Sequence, residues 1–392
     1  MGHHRRVHDL ARVIAFVLGV VMVMATIVSV FTSLVVPRVT SSRLLRTIAL
    51  LLGTAARKVL PRLPSYEAKD RLMSLVGPLA MMLLFVLWLS ILLVGFGLIA
   101  WWTTGTSLLH AMAISGSSVF TLGIAVGAHP QSEAVEVAAA ATGFLVIALE
   151  IGYLPTLYAA FSAWETEVTL LATRSGTPAW GPEILARHWW FKTMSELPDL
   201  YRVWERWSAE VSESHTNYPS LMWFRSPVSS RSWLLSLVAM LDAAALQDSC
   251  SPSDAPRQAR IFLRMGMDCL RSLAGALHIP FDPDPLPTTP IRLSFEEFAV
   301  GFERLEQVGF PVERTLEESW TNFCGWRINY EAVADALTRL VMPPPAPWLV
   351  ARPGLGELRL PLIFDRTPAD PSAGQSERLG RGVRHLEEEG PA

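Results

Sequence analysis

The sequence predicts an all-α protein in which membrane helices, joined by a re-entrant loop, precede a helical cytosolic domain. Composition is the first reason: of 392 residues, 51% are hydrophobic and only 18% charged, and the mean hydropathy of +0.31 exceeds that of ordinary soluble domains. Apolar runs are the second. Val13 to Val36 and Pro78 to Trp102 carry no charge, and each is long enough to cross a hydrocarbon core of about 30 Å at about 1.5 Å per residue. Val137 to Trp164 is a third run, broken only by Glu150. The third reason lies past Trp164, where charged and apolar residues alternate at helical spacing.

Residues 1–36 form the first membrane helix. His3, His4, Arg5 and Arg6 precede it as in a signal peptide, but the apolar run exceeds the roughly 7 to 15 residues of such a peptide, and Pro37-Arg38 follows where a cleavage site belongs. Residues 37–76 are basic, with Arg38, Arg43, Arg46, Arg57, Lys58, Arg62, Lys69 and Arg71 against Glu67 and Asp70. Since Thr103 to Glu136 has no Lys or Arg, the positive-inside rule puts the basic segment in the cytoplasm of a multi-pass plasma-membrane protein. Three crossings then leave the N-terminus outside, against the charge of Arg5, Arg6 and Arg12. Leu44, Leu45, Ile48, Leu51 and Leu52 recur at helical spacing, which fits a helix in the cytoplasmic interface or one packed on the C-terminal domain.

Residues 77–164 form the central module. Ser107 to Ile114 is long enough for two or three helical turns and too short to span, and Ser115 to Gly127 loses helical periodicity while gathering hydroxyls and glycines. Non-helical backbone at membrane depth is tolerated where protein buries it or a water-filled path runs past it. A re-entrant pore loop is the expectation. Trp101 and Trp102 fit an interfacial aromatic belt.

Residues 165–342 read as the helical cytosolic domain, with Thr173 to Pro178 as a linker and helices over Pro182 to His215 (bent at Pro198), Ser232 to Gln247, Ala255 to His278, Ser294 to Gly309 and Glu313 to Met342. Ser294-Phe295-Glu296-Glu297 has the form of a capping box. Residues 343–392 form a proline-rich extension, with an apolar stretch at Leu358 to Phe364 and a disordered tail.

The composition also excludes functions. A net charge of -3 leaves no basic footprint for nucleic acid. Cys250, Cys269 and Cys324 have no CxxC spacing, so neither a structural metal site nor a disulfide framework is indicated. Glu210, Glu213 and His215 lack the spacing of a helical metal motif, and no phosphate loop, dinucleotide fingerprint or nucleophile elbow occurs. The expectation is a non-enzyme with no catalytic residue, no metal site and no cofactor. The tryptophans Trp189, Trp190, Trp204, Trp207, Trp223 and Trp233 read as core, and His110 as a buried neutral side chain.

Ser118-Val119-Phe120-Thr121-Leu122-Gly123 resembles the filter of the tetrameric potassium channels, in which Thr-Val-Gly continues to Tyr-Gly. The resemblance covers Pro78 to about Trp164. It implies that Ser118, Thr121, Leu122, Gly123, Ile124 and Ala125 border an ion pathway, with backbone carbonyls and the Thr121 hydroxyl facing a monovalent cation. Ile124 stands where the family has Tyr and Ala125 where it has a second Gly, so the bracing hydrogen bond of that Tyr is missing and selectivity for potassium is not implied. The run Leu149 to Tyr158, with Phe224 to Pro227 downstream, also resembles bacterial proteins that join a pore-loop region to a helical tail.

Glu136, Gly143 and Glu150 recur at near-heptad spacing and are the candidate pore-lining residues; Glu133 and Glu136 would draw cations to the outer mouth. Gly152 and Pro155 weaken local helix bonding and mark a hinge or a fixed kink. One loop cannot encircle an ion, so a conducting form requires a homotetramer in the lipid bilayer. A second expectation is a membrane-anchored sensor or scaffold whose cytosolic domain binds a protein or ligand.

Overall fold

Every regular element of the computed structural model is a helix among the residues it describes, 2–34, 43–127 and 130–349. The three expected apolar runs are α1 (Gly2–Leu34), α4 (Val76–Thr104) and α6 (Pro130–Ser175), each longer than the run that signalled it. α1 lies antiparallel to α4: Arg12 meets Gly105, Gly19 meets Gly95, and Trp88 Nε1 donates to Ser29 Oγ at 3.1 Å. At the crossing a Cβ on Gly19 would sit 2.5 Å from the Gly95 carbonyl oxygen, so small residues set the closeness of the pair.

Between α4 and α6 sits α5 (Leu108–Val119), whose N-cap is Ser107. It continues through Ser115 to Val119, where the sequence had suggested that helical periodicity ends. Those serines are compatible with a helix because their hydroxyls find partners: Ser115 Oγ donates to the Leu93 carbonyl of α4 at 2.7 Å. His110 is exposed on this helix rather than buried.

At the opposite end of α4 lie α2 (Arg43–Val59) and α3 (Tyr66–Ser74). Ala49 and Ala56 are buried, Arg57 Nη2 donates to the Leu340 carbonyl at 3.3 Å and Arg46 Nη1 to His278 Nδ1 at 2.8 Å. One face of α2 is therefore packed on the C-terminal helices.

Those helices are α7 (Gly181–Trp190), α8 (Leu197–Asn217), α9 (Trp233–Cys250), α10 (Arg257–Ala276), α11 (Phe295–Gln307), α12 (Leu316–Arg327) and α13 (Glu331–Val341). They wrap α9, every residue of which is buried. A helix buried on every side needs such a surround. The capping box at Ser294 and Glu297 forms as expected, and a second, Thr315 with Glu318, starts α12. Of the tryptophans expected in the core, Trp204, Trp207, Trp223 and Trp233 are buried, whereas Trp190 is exposed.

Three boundaries differ from expectation. The helix expected over Pro182 to His215 breaks at Phe191 to Thr193, where Lys192 has φ +60, and not at Pro198, which lies in the first turn of α8 where a missing N–H costs nothing. Glu313 to Met342 is split at Ile328 to Tyr330, which brings the Tyr330 hydroxyl to Asp242 at 2.7 Å. α6 runs unbroken through the position 164/165, and its last turns bury Trp164, Glu165, Val168 and Leu171 among the C-terminal helices. The stretch Leu358 to Phe364 and the tail lie outside the described residues.

Candidate functional site

The loop after α5 is built on a helix terminator. Leu122 N donates to the Ser117 carbonyl at 2.7 Å and Thr121 N to the Ser118 carbonyl at 2.9 Å, with Thr121 at φ +53. Bonds in this nested order around one left-handed residue form a Schellman motif, and Thr121 holds the place where glycine is usual. Ser118 is thus in the last turn of α5 and buried, not in an extended strand, and its carbonyl is already occupied. The sequence missed this because hydroxyls and glycines are as frequent at helix ends as in loops.

Two further bonds shape the turn. Ala125 N donates to Ser117 Oγ at 3.0 Å, and Gly127 N to Glu136 Oε1 at 2.8 Å, so Ser117 and Glu136 pin the loop between α5 and α6. Gly123 adopts φ +69, a conformation that favours glycine. The side chains between these anchors point outward: Leu122 is 59% and Ile124 81% exposed. Ser118, Thr121, Leu122, Gly123, Ile124 and Ala125 therefore lie in one compact turn.

The stripe Glu136, Gly143 and Glu150 does not lie along an open face. Gly143 is buried, and a Cβ there would collide with the Val119 carbonyl oxygen; it is the seat on which the end of α5 rests. Glu136 is committed to Gly127. Glu150 is half-buried and forms no ion pair with the basic segment among the described residues. The open face of α6 lies on the opposite side. It carries Val137, Phe144 and Ile151 along one side, and Ala134, Ala138, Ala141, Ala148 and Gly152 with the larger Leu145 along the other.

Charge at the loop end is arranged around a helix terminus. Arg12 Nη2 donates to the Gly105 carbonyl at 3.0 Å, and its guanidinium lies 5.6 Å from the Trp101 ring. A cation at the negative end of α4 offsets an orphan carbonyl and the helix dipole. This accounts for a basic residue at the end of the molecule that the charge rule leaves without one.

At the other end, one short segment binds everything together. Trp223 and Phe224 pack on Gly77 of α4, and the Phe224 ring meets Tyr158 of α6 edge-on and Phe161 at a tilt. Arg225 donates to Asp70 of α3 at 2.6 Å, to the Tyr66 hydroxyl at 3.0 Å and to the Val341 and Met342 carbonyls. Ser226 donates to Glu165 of α6. No alternative for this charge-bearing junction was visible in sequence, since its partners lie up to 159 positions apart.

Glu210 and Glu213 are exposed while His215 is buried between Trp164 and Trp233, so these three do not form a site. Burial lowers the His215 pKa to about 4, and its Nδ1 donates to the Val211 carbonyl at 2.9 Å. No family model, curated protein or solved structure matches this chain.

Proposed function

We propose that the chain is a subunit of a homotetrameric, channel-like membrane protein that passes monovalent cations without covalent chemistry. The observation that carries this reading is α5: at 12 residues it is about 18 Å long, too short to span, yet it is wedged between two helices of spanning length and ends in a hydroxyl-bearing turn. Its negative terminus is directed at that turn, which favours a cation there. The turn is stripped of Lys and Arg, and its apolar side chains and partly bonded backbone suit neither water nor lipid, so other copies of the chain must cover it.

In this arrangement α1, α4 and α6 cross the plasma membrane, the loop lies outside and the C-terminal helices are cytosolic. The lining role passes from Gly143 to the small side of the open α6 face, Ala134, Ala138, Ala141 and Ala148, with Val137, Phe144 and Ile151 toward lipid. Glu150, half-buried on the opposite side of α6, lies away from this lining. The test is a potassium and sodium flux assay on the purified full-length chain in liposomes. Flux is expected to fall at least tenfold in Gly123→Val, because the left-handed turn cannot form.

A second reading, a membrane-anchored sensor or scaffold, is favoured by the Schellman motif, since helix termination alone accounts for Thr121 and Gly123. Negligible flux in native and variant protein alike, with an unchanged fold, supports that reading and removes the first.

A further inference from the structure

Helix α2 has two apolar faces, and only one is covered by protein. Ala49 and Ala56 are buried, and Ile48 and Leu52 pack beside them against the C-terminal helices. On the other side Leu44, Leu51, Ala55 and Val59 stand bare, Leu51 being 63% exposed. Lys58 is exposed on α2 itself, Arg62 in the turn that follows it and Arg71 on α3, which packs against α2, whereas the neighbouring charges Arg46, Arg57 and Asp70 are taken up by His278, Leu340 and Arg225. α2 also packs along α4, whose first two turns leave Leu79 and Met82 bare as well.

A bare apolar stripe edged by unspent cations narrows the choice of partner. Hydrocarbon alone would strand the cations, and a second copy of the same face would set like charges against each other. A membrane surface satisfies both requirements, with Leu51 and Val59 entering the acyl boundary and the cations meeting phosphate. We propose that this face of α2, with Arg62 and Arg71, is a docking surface for the headgroups of anionic phospholipids. It rests on α4 being a membrane span and does not depend on conduction.

The test uses full-length protein in neutral detergent, with retained lipid counted by native mass spectrometry and unfolding followed thermally. Phosphatidylglycerol is expected to be retained and to raise the unfolding temperature, whereas phosphatidylcholine and inorganic phosphate do neither. The triple variant K58Q/R62Q/R71Q should bind phosphatidylglycerol about 100-fold more weakly, at roughly 1 kcal/mol for each lost cation. Should that variant unfold early without lipid, R62Q and R71Q singly, each expected to lose about fivefold, replace it.

Undiminished retention by these variants overturns the proposal, as does an equal shift from inorganic phosphate. Complete cross-linking of two copies through L51C also overturns it, by giving the face to the chain itself. If the wild-type chain leaves cell membranes in alkaline carbonate, the span fails and the proposal with it. A chain that stays in the membrane without lipid preference sinks this proposal alone.

Discussion

Helices α6 and α9 are both long and apolar enough to cross a membrane, yet α9 is enclosed by protein along its whole length while most of α6 is bare. Hydropathy says that such a helix must be covered and does not say by what. The difference lies in their polar residues. α9 carries Asp242, Gln247 and Asp248, each answered from a surrounding element by Arg327 and Tyr330, by Tyr201, and by Arg260 and Trp326. Only protein can place so many partners. The bare half of α6 offers alanines with Val137, Phe144, Leu145 and Ile151, which ask for nothing but an apolar neighbour.

The sharpest way to break this comparison is to remove one of those partners. Arg327 is 2% exposed and donates to Asp242, Glu331 and the Trp348 carbonyl, so Arg327→Met leaves buried acids uncompensated. A loss of about 3–5 kcal/mol is expected in denaturant unfolding. An Ala148→Leu change on the bare side of α6 should stay within about 0.5 kcal/mol. Equal costs at the two sites would erase the distinction.

Gly143→Val tests the one place where α6 is covered at loop level. Its side chain meets the Val119 carbonyl, and a destabilisation of about 1–3 kcal/mol, with early hydrogen exchange in α5, is expected.

His215 probes the protein-covered end by pH. Its folded pKa of about 4 lies below the usual value near 6.5, so its contribution is complete above pH 6.5 and is lost as pH falls through 4. Replacing His215 with Phe should remove up to about 1.4 kcal/mol per pH unit from the slope of unfolding free energy between pH 6.5 and 4. An unchanged slope would show that the imidazole is not enclosed.

A smaller effect, of opposite sign, is expected at Thr121→Gly, which relieves a left-handed threonine and should stabilise the end of α5 by about 1 kcal/mol. The same substitution removes the hydroxyl, so a stabilised protein with altered cation flux would separate the structural part of this residue from the one proposed for it in conduction.

The long elements were legible because apolar runs and capping boxes are local signals, as Ser294 with Glu297 illustrates. The loop was legible as a place and misread as a shape: its periodicity fades at Ser115, but the Ser115 and Ser117 hydroxyls reach Leu93 and Ala125 and let the helix continue to Val119. Heptad spacing puts Glu136, Gly143 and Glu150 on one side of α6 but does not reveal that the end of α5 rests on Gly143. Arg225 lies in the stretch Phe224 to Pro227, but a single arginine in sequence gives no hint that it ties α3 to the end of α13.

At 46 residues α6 is a rod about 69 Å long, clasped at one end by Trp223 to Ser226 and touching Gly127 through Glu136 at the other. Held so, it works as a lever. The clasp meets α6 at Tyr158, Phe161 and Glu165, and from Glu165 to Glu136 the rod runs about 44 Å, so a tilt of roughly 5° at the clasp would carry the loop end about 4 Å if the rod were stiff. Pro155 removes one backbone bond partway along it, so part of that stroke is taken up as bending before it reaches the turn. The gain of the lever is thus set by a single ring, and straightening it with Pro155→Ala would deliver the whole motion to the loop.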